Sequence, residues 1–229
     1  MNTYQKTARI VGILFIIGTV AGILSNVFLG PFLNDPGHLS SLLANRNKVV
    51  IGSLLILTMG LSLSMVPVFL YPILNKYNEP LALGAVVFRG VLEAVIYITQ
   101  ALLMLLLIPL SQEFIAADSV SISVYQHLGA FFMSADVWFG YILSIVFSLG
   151  ALMIYYVFYQ SKLIPRWLSV WGLIGGLLYF AYPMLGMFGN DFGFLMLPLA
   201  LQEMVMALWM IIKGFNTNDG TDHKLAKNN

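Results

Sequence analysis

Cysteine is absent from this chain of 229 residues, and charged residues make up only 9% of it. Without cysteine there can be no disulfide, no thiolate metal site and no cysteine nucleophile. A soluble domain carries about 25% charged residues, so this chain lacks the polar surface needed to cover a globule in water. The composition therefore argues against a soluble enzyme and against a disordered protein.

An excess of basic charge is missing as well, because the formal net charge is only +1. Nucleic-acid binding needs a basic patch or stripe, so we expect no nucleic-acid partner. No two histidines have metal-ligand spacing, and the sequence contains no nucleophile elbow, zinc-protease motif, phosphate loop or nucleotide fingerprint. The sequence thus predicts no catalytic residue, no metal and no cofactor, and we expect that the protein is not an enzyme.

Long apolar stretches are what the chain has instead. Four of them contain no charged residue, at 10–34, 49–75, 137–161 and 167–190. Each exceeds the ~20 residues that cross a hydrocarbon core of ~30 Å as a helix. Two more, at about 81–110 and 192–215, carry charges in their interior. The sequence predicts an all-α, polytopic integral membrane protein whose residues 1–215 form one domain of six transmembrane helices in the lipid bilayer.

The distribution of lysine and arginine predicts the orientation, since these residues concentrate in cytoplasmic loops. With the N-terminus inside, only Arg46 and Lys48 fall on the outer side. The inner side then holds eight basic residues: Lys6, Arg9, Lys76, Lys162, Arg166, Lys213, Lys224 and Lys227. Both termini should therefore be cytoplasmic, which requires an even number of crossings. Residues 216–229 are polar and are predicted to form a disordered cytoplasmic tail.

The polar stretches between the spans predict the loops. Tight inner turns are expected at 75–80 and 160–166, and longer outer loops at 30–48 and 111–123. Residues 124–135 should either extend the fourth helix beyond the membrane or lie along the outer interface. Tyr155 falls at the predicted inner boundary, where amphipathic rings are common.

Small residues predict how the helices pack, because helices in lipid associate through close backbone approach. Gly18 and Gly22 form a G-x-x-x-G face on the first helix, and Gly172 and Gly176 form another on the fifth. A further small-residue strip on the fourth helix consists of Gly140, Ser144, Ser148 and Ala151. Packing within the bundle is the preferred interpretation, and a homodimer is the alternative.

Ionisable residues inside the spans are the candidate site. Arg89 and Glu93 are four residues apart and share a helix face, which Tyr97 and Gln100 continue as a polar stripe. At 1.5 Å per residue, Glu93 lies ~18 Å into its helix and Glu203 ~16 Å into the last one. Both carboxyls therefore fall near the bilayer centre.

Each charge at that depth costs about 2.5–3.5 kcal/mol, so these groups should not face lipid. We expect the third and sixth helices to lie in contact, so that Arg89 can form ion pairs with both Glu93 and Glu203. One cation facing two carboxylates leaves one negative charge uncompensated. This favours protonation of one of the two acids. A carboxyl that can be protonated is what a proton carrier requires. The alternative is a static network that only fixes helix register.

Asp136 is predicted at the outer mouth of the fourth helix. It is either a charge at the helix N-terminus that satisfies free amides, or part of an entry vestibule.

Four blocks of the chain resemble one family: ARIVGILFIIGTVAGILSNVFLGP, LALGAVVFRGVLEAV, YQSKLIPRWLSVWGLIGG and LPLALQEMVMALWMIIKGF. It is a family of bacterial multi-pass membrane proteins catalogued as a domain of unknown function. The resemblance runs from about residue 8 to 215 and implies a bacterial inner-membrane location and a single domain. It brings no activity and no catalytic residue.

Two functions remain open at this point. The first is binding or transport of a small solute or protons through the polar centre. The second is a non-catalytic membrane component that assembles with or regulates a partner protein.

Overall fold

The computed structural model describes residues 3–33, 38–118 and 120–216. Within these ranges the elements are all helical, and no strand occurs. They are α1 (Thr3–Leu33), α2 (His38–Ala44), α3 (Arg46–Ala85), a π-helix (Val86–Leu92), α4 (Glu93–Ala116), α5 (Ile122–Ser161), α6 (Arg166–Gly186), a 3-10 helix (Gly193–Met196) and α7 (Leu197–Ile212). The all-α prediction is confirmed, whereas the predicted tail, apart from residue 216, lies outside the described residues.

Five helical segments are long and apolar enough to cross a membrane: Thr3–Phe32, Arg46–Ala116, Ile122–Ser161, Arg166–Gly186 and Gly193–Ile212. The second has 71 residues, about 106 Å as a straight helix, far more than a hydrocarbon core of about 30 Å. It is a hairpin, because Gly60 packs on Tyr97 while Gly90 packs on Pro67. The described residues thus contain six long helical arms.

Both predicted turns between arms are present. The hairpin reverses at Asn78, whose extended backbone (φ −158°, ψ 92°) interrupts the helix. Its side-chain oxygen accepts a hydrogen bond from the amide of Leu81 at 3.2 Å, which starts the second arm. The other turn follows α5, where Lys162 takes a left-handed conformation (φ 57°) before α6 begins at Arg166.

The two predicted outer loops are wrong in length. The range 30–48 contains the end of α1, all of α2 and the start of α3, and 111–123 shrinks because α4 continues to Ala116 and α5 starts at Ile122. Polar residues favour loops over transmembrane spans, but a helix that lies outside an apolar core can also carry them. Residues 124–135 belong to α5, whose 40 residues include no proline and form one helix of about 60 Å. Residues 124–135 therefore extend the fourth predicted helix, which was the first of the two alternatives.

Neighbouring helices run antiparallel, so the bundle has two ends. The terminal end is defined by Thr3, Asn78, Lys162 and Asn216, and the distal end by Leu33, Arg46, Ala116 and Ile122. Gln5 donates a hydrogen bond to the Phe215 carbonyl at 3.2 Å, which places both termini of the described chain together. This arrangement fits an even number of crossings.

The glycine faces pack inside the bundle. A Cβ on Gly18 would lie 2.7 Å from Leu63, and one on Gly172 would lie 2.6 Å from the ring of Tyr155. The chain's own side chains therefore occupy these faces, as the preferred interpretation required.

Candidate functional site

Arg89 lies in the π-helix at Val86–Leu92, within the second arm of the hairpin. Such wide turns are rare and occur often at functional sites. Helix α5 approaches closely because Gly150 faces the arginine. A Cβ on Gly150 would lie 2.8 Å from the Cβ and 3.0 Å from the backbone nitrogen of Arg89.

The arginine meets both acids that the sequence pointed to. Its Nη1 lies 2.8 Å from Glu203 Oε1 on α7, and its Nε lies 3.8 Å from Glu93 Oε2 one turn along its own chain. Arg89 and Glu93 have no exposed surface, and Glu203 is 8% exposed. The third and sixth helical arms therefore converge through one guanidinium, as expected.

Three further residues complete this centre, and sequence reasoning did not assign them to it. The guanidinium carbon lies 5.1 Å from the ring centroid of Phe15 and 4.5 Å from that of Phe147, both within cation–π range. Tyr155 donates a hydrogen bond to Glu203 Oε1 at 3.1 Å and is fully buried. Its prediction as a ring at the membrane boundary is wrong. The available signal was that Tyr155 continues the small-residue strip of α5 by one turn.

The two acids have different surroundings. Both carboxyl oxygens of Glu93 are buried without a hydrogen-bond partner in the described part of the chain. Glu203 instead lines a cavity of about 140 Å³ together with Tyr97, Ser144 and Tyr179. We name this space the central cavity; Leu143 and Leu199 extend its wall toward the distal end. Of the two acids, Glu203 is therefore the one that lines a cavity.

A second space, the distal cavity, has a volume of about 210 Å³. Gln100 and Asp136 both line it, and Gln100 Nε2 donates to Asp136 Oδ1 at 3.2 Å. Tyr97 and Leu143 line both cavities and lie between them. The predicted stripe thus leads from the buried ion pair past Tyr97 to Gln100, whose side chain is bonded to Asp136.

Asp136 lies well inside α5, which begins at Ile122. Its interpretation as a charge at a helix N-terminus is wrong, because the amides around it are already bonded within the helix. The vestibule interpretation is the one that its position in the distal cavity supports. Among the described residues, no group of three or more His, Cys, Asp or Glu side chains could hold a metal ion.

Long apolar helices around a buried ionisable centre define a polytopic, all-α membrane protein. The chain belongs to the family described as Domain of unknown function (DUF4386), whose family model matches residues 10–214. The family resemblance of the four sequence blocks is thereby confirmed. Neither the curated proteins nor the solved structures contain a match to the chain.

Proposed function

We propose that the protein moves protons, or a solute of only a few heavy atoms, through the Arg89–Glu203–Glu93 centre. The observation that carries this proposal is that the central cavity reaches Glu203 at the ion pair. Its volume of about 140 Å³ is close to that of an engineered cavity of about 150 Å³ that admits benzene. A larger substrate would not fit.

The charge balance of Arg89, Glu93 and Glu203 indicates which of the two acids holds a proton in this conformation. With all three groups ionised, the centre would hold one uncompensated negative charge away from water, at a cost of several kcal/mol. Glu203 makes the short ion pair, whereas Glu93 lies 3.8 Å from the guanidinium and accepts no hydrogen bond in the described chain. We therefore assign the proton to Glu93 in this conformation.

A transfer cycle follows from that assignment. A proton from the central cavity binds Glu203 and neutralises it, and the guanidinium then pairs with Glu93 as that acid releases its own proton. One proton has then entered and one has left, and the cycle closes when Glu203 passes its proton to Glu93 and pairs again with the guanidinium. Release requires a second conformation that opens the terminal end, where Leu70, Phe158 and Ile164 have no exposed surface here.

The proposal includes six crossings of a bacterial inner membrane, with both termini cytoplasmic and no enzymatic activity. Support comes from the basic residues of the described chain that lie toward the terminal end: Lys6, Arg9, Lys76, Lys162, Arg166 and Lys213. The positive-inside rule places such an end in the cytoplasm.

The test is proton flux into liposomes that contain the purified protein and a trapped pH-sensitive dye. A potassium gradient with valinomycin supplies a membrane potential of either sign. Glu203→Gln should reduce flux by about a hundredfold or more, because a positioned proton-transfer group contributes ~10²–10⁴-fold. Glu79→Gln is the matched control, since Glu79 is exposed at the terminal end, and it should retain flux.

Glu93→Gln should also abolish turnover, because glutamine cannot release a proton and become the anion that pairs with the guanidinium. Each variant must elute as a monodisperse species with an unchanged melting temperature for its flux to count. Proton flux that survives in folded Glu203→Gln and Glu93→Gln would contradict the proposed route.

A second candidate is a non-catalytic membrane component that assembles with or regulates a partner protein, and in which the centre only fixes helix register. It is favoured by the contacts of Arg89, which reach Phe15 on α1, Phe147 on α5 and Glu203 on α7 and so tie separate helices together. Wild-type liposomes that pass no protons at either sign of potential would favour this candidate.

A further inference from the structure

The distal cavity has the composition of a cation site. Its polar lining consists of Ser25, Asn26, Tyr97, Gln100 and Asp136, and none of its lining residues is basic. We propose that it binds a small organic ammonium ion that carries N–H donors, with Asp136 as the counter-ion. This site is separate from the Glu203 centre and does not depend on proton transfer there.

The charge of Asp136 is the first argument. In the part of the chain that the structure describes, ion pairs within 4.0 Å join Arg89 to Glu93 and to Glu203, and none involves Asp136. Asp136 is partly buried and accepts one hydrogen bond, from Gln100. A partly buried carboxylate without a cationic partner attracts a cation, and the surrounding apolar wall strengthens that attraction.

The hydrogen bonds around the cavity are the second argument. The Ser25 hydroxyl donates to the Gly22 carbonyl at 2.8 Å, and an Asn26 amide hydrogen is directed to the same carbonyl at 3.4 Å. An amide hydrogen of Gln100 goes to Asp136 at 3.2 Å. These bonds use donors of the lining and leave acceptor oxygens on Ser25, Asn26, Gln100 and Asp136. A ligand that donates several hydrogen bonds matches such a lining.

The apolar part of the wall selects an organic cation rather than a metal ion. Met59 and Met104 contribute thioethers and Tyr97 an aromatic ring, which are soft contacts suited to a methyl group or a cation–π interaction. Calcium and magnesium are bound by several hard oxygen ligands at once, whereas much of this lining is apolar. The volume of about 210 Å³ also exceeds the ~150 Å³ that holds benzene.

The experiment is calorimetric titration of the full-length protein in lipid nanodiscs with methylammonium chloride. Tetramethylammonium chloride and sodium chloride at equal ionic strength are the matched probes, since the first has no N–H donor and the second is a metal ion. We expect saturable binding of methylammonium alone. Asp136→Asn should weaken it about tenfold or more, as the loss of a charge-assisted hydrogen bond predicts.

Two control variants separate this site from other acids. Asp191→Asn changes an exposed carboxylate that also accepts one hydrogen bond, at 3.1 Å from Gly193, and should bind as the wild type does. Glu203→Gln should keep methylammonium binding while losing proton flux, so the two proposals can fail independently. Gln100→Leu provides a second variant of the cavity should Asp136→Asn not fold, and we expect it to weaken binding as well.

The proposal is overturned if the wild type gives no saturable heat with methylammonium. It is equally overturned if sodium or tetramethylammonium binds as tightly, or if folded Asp136→Asn binds methylammonium as the wild type does.

Discussion

The two ends of the bundle are built from the same apolar helices but are packed differently. The larger buried cluster, which reaches the terminal end, draws fully buried residues from five helices, such as Phe15 of α1, Leu70 of α3, Phe158 of α5, Leu168 of α6 and Met206 of α7. The buried cluster at the distal end draws only on α1 to α4. There, α5 contributes half-buried residues and α6 and α7 contribute none in the described chain.

This difference explains where the cavities lie. Asp136, Leu143 and Ser144 all belong to α5 and line the two cavities, Asp136 in its distal half and the other two just past its midpoint. Helices in lipid gain nothing from apolar contact with one another, so a loosely packed region costs little where small residues do not bring backbones together. The larger buried cluster thus forms a seal between the central cavity and the terminal end, and we expect small molecules to reach the cavities from the distal side.

The largest expected effect comes from removing Arg89, which contacts residues of α1, α5 and α7. Arg89→Leu leaves Glu203 beside an apolar side chain, and breaking one partner of a buried ion pair costs about 3–5 kcal/mol. We expect the variant to be nearly absent from the membrane fraction, as measured by immunoblot at equal expression. Arg166→Leu is the control, because Arg166 is exposed at the terminal end.

If Arg89→Leu accumulates and melts like the wild type, the centre does not hold the bundle together. The difference in packing between the terminal and distal ends would then need another explanation.

The fold was predictable from the sequence to the extent that it depends on length and apolarity. Spans of more than about 20 apolar residues must be helical in lipid, because the backbone can satisfy its hydrogen bonds in no other local way. The turn at Asn78 could be placed because polar residues and Pro80 interrupt an apolar run there. The lengths of the outer loops could not, since hydropathy does not report helices that continue beyond the apolar core.

The site was predictable for its charged members and not for the others. Arg89, Glu93 and Glu203 are rare charges in apolar spans, and exclusion from lipid forces them together. Tyr155, Phe15 and Phe147 are ordinary residues of apolar helices until the rotation of each helix is known. The π-helix that carries Arg89 has no composition signal, so it emerges only from the coordinates.

Two glycines on α5 provide a sharper test of the difference in packing. A Cβ on Gly150 would meet the backbone nitrogen of Arg89 at 3.0 Å, whereas nothing lies within 4 Å of one on Gly140. Gly150→Ala should lower stability by about 1–3 kcal/mol through overpacking. Gly140→Ala should be neutral or should stabilise by about 0.4–1 kcal/mol, since alanine restricts the unfolded chain. Melting temperatures in detergent measure both, and equal values would contradict the packing difference.

The smallest expected effect concerns water access along the same helix. Ser144 lines the central cavity, whereas Ser148, one turn further toward the terminal end, has no exposed surface. Each hydroxyl donates to the backbone carbonyl four residues earlier, at 2.8 Å and 2.6 Å respectively, so the two serines are chemically matched. The chain has no cysteine of its own, so Ser144→Cys and Ser148→Cys each introduce a single thiol.

We expect a small methanethiosulfonate reagent to modify Ser144→Cys about tenfold faster than Ser148→Cys, a difference of about 1.4 kcal/mol in activation free energy. Mass spectrometry of the intact protein at timed intervals measures both rates. Applied to right-side-out and inside-out vesicles, the reagent also reports which face of the membrane the cavity opens to. Because the seal lies toward the terminal end, labelling of Ser144→Cys should occur from the distal side only. Equal labelling of both thiols from both sides would mean that the seal is not maintained in the membrane.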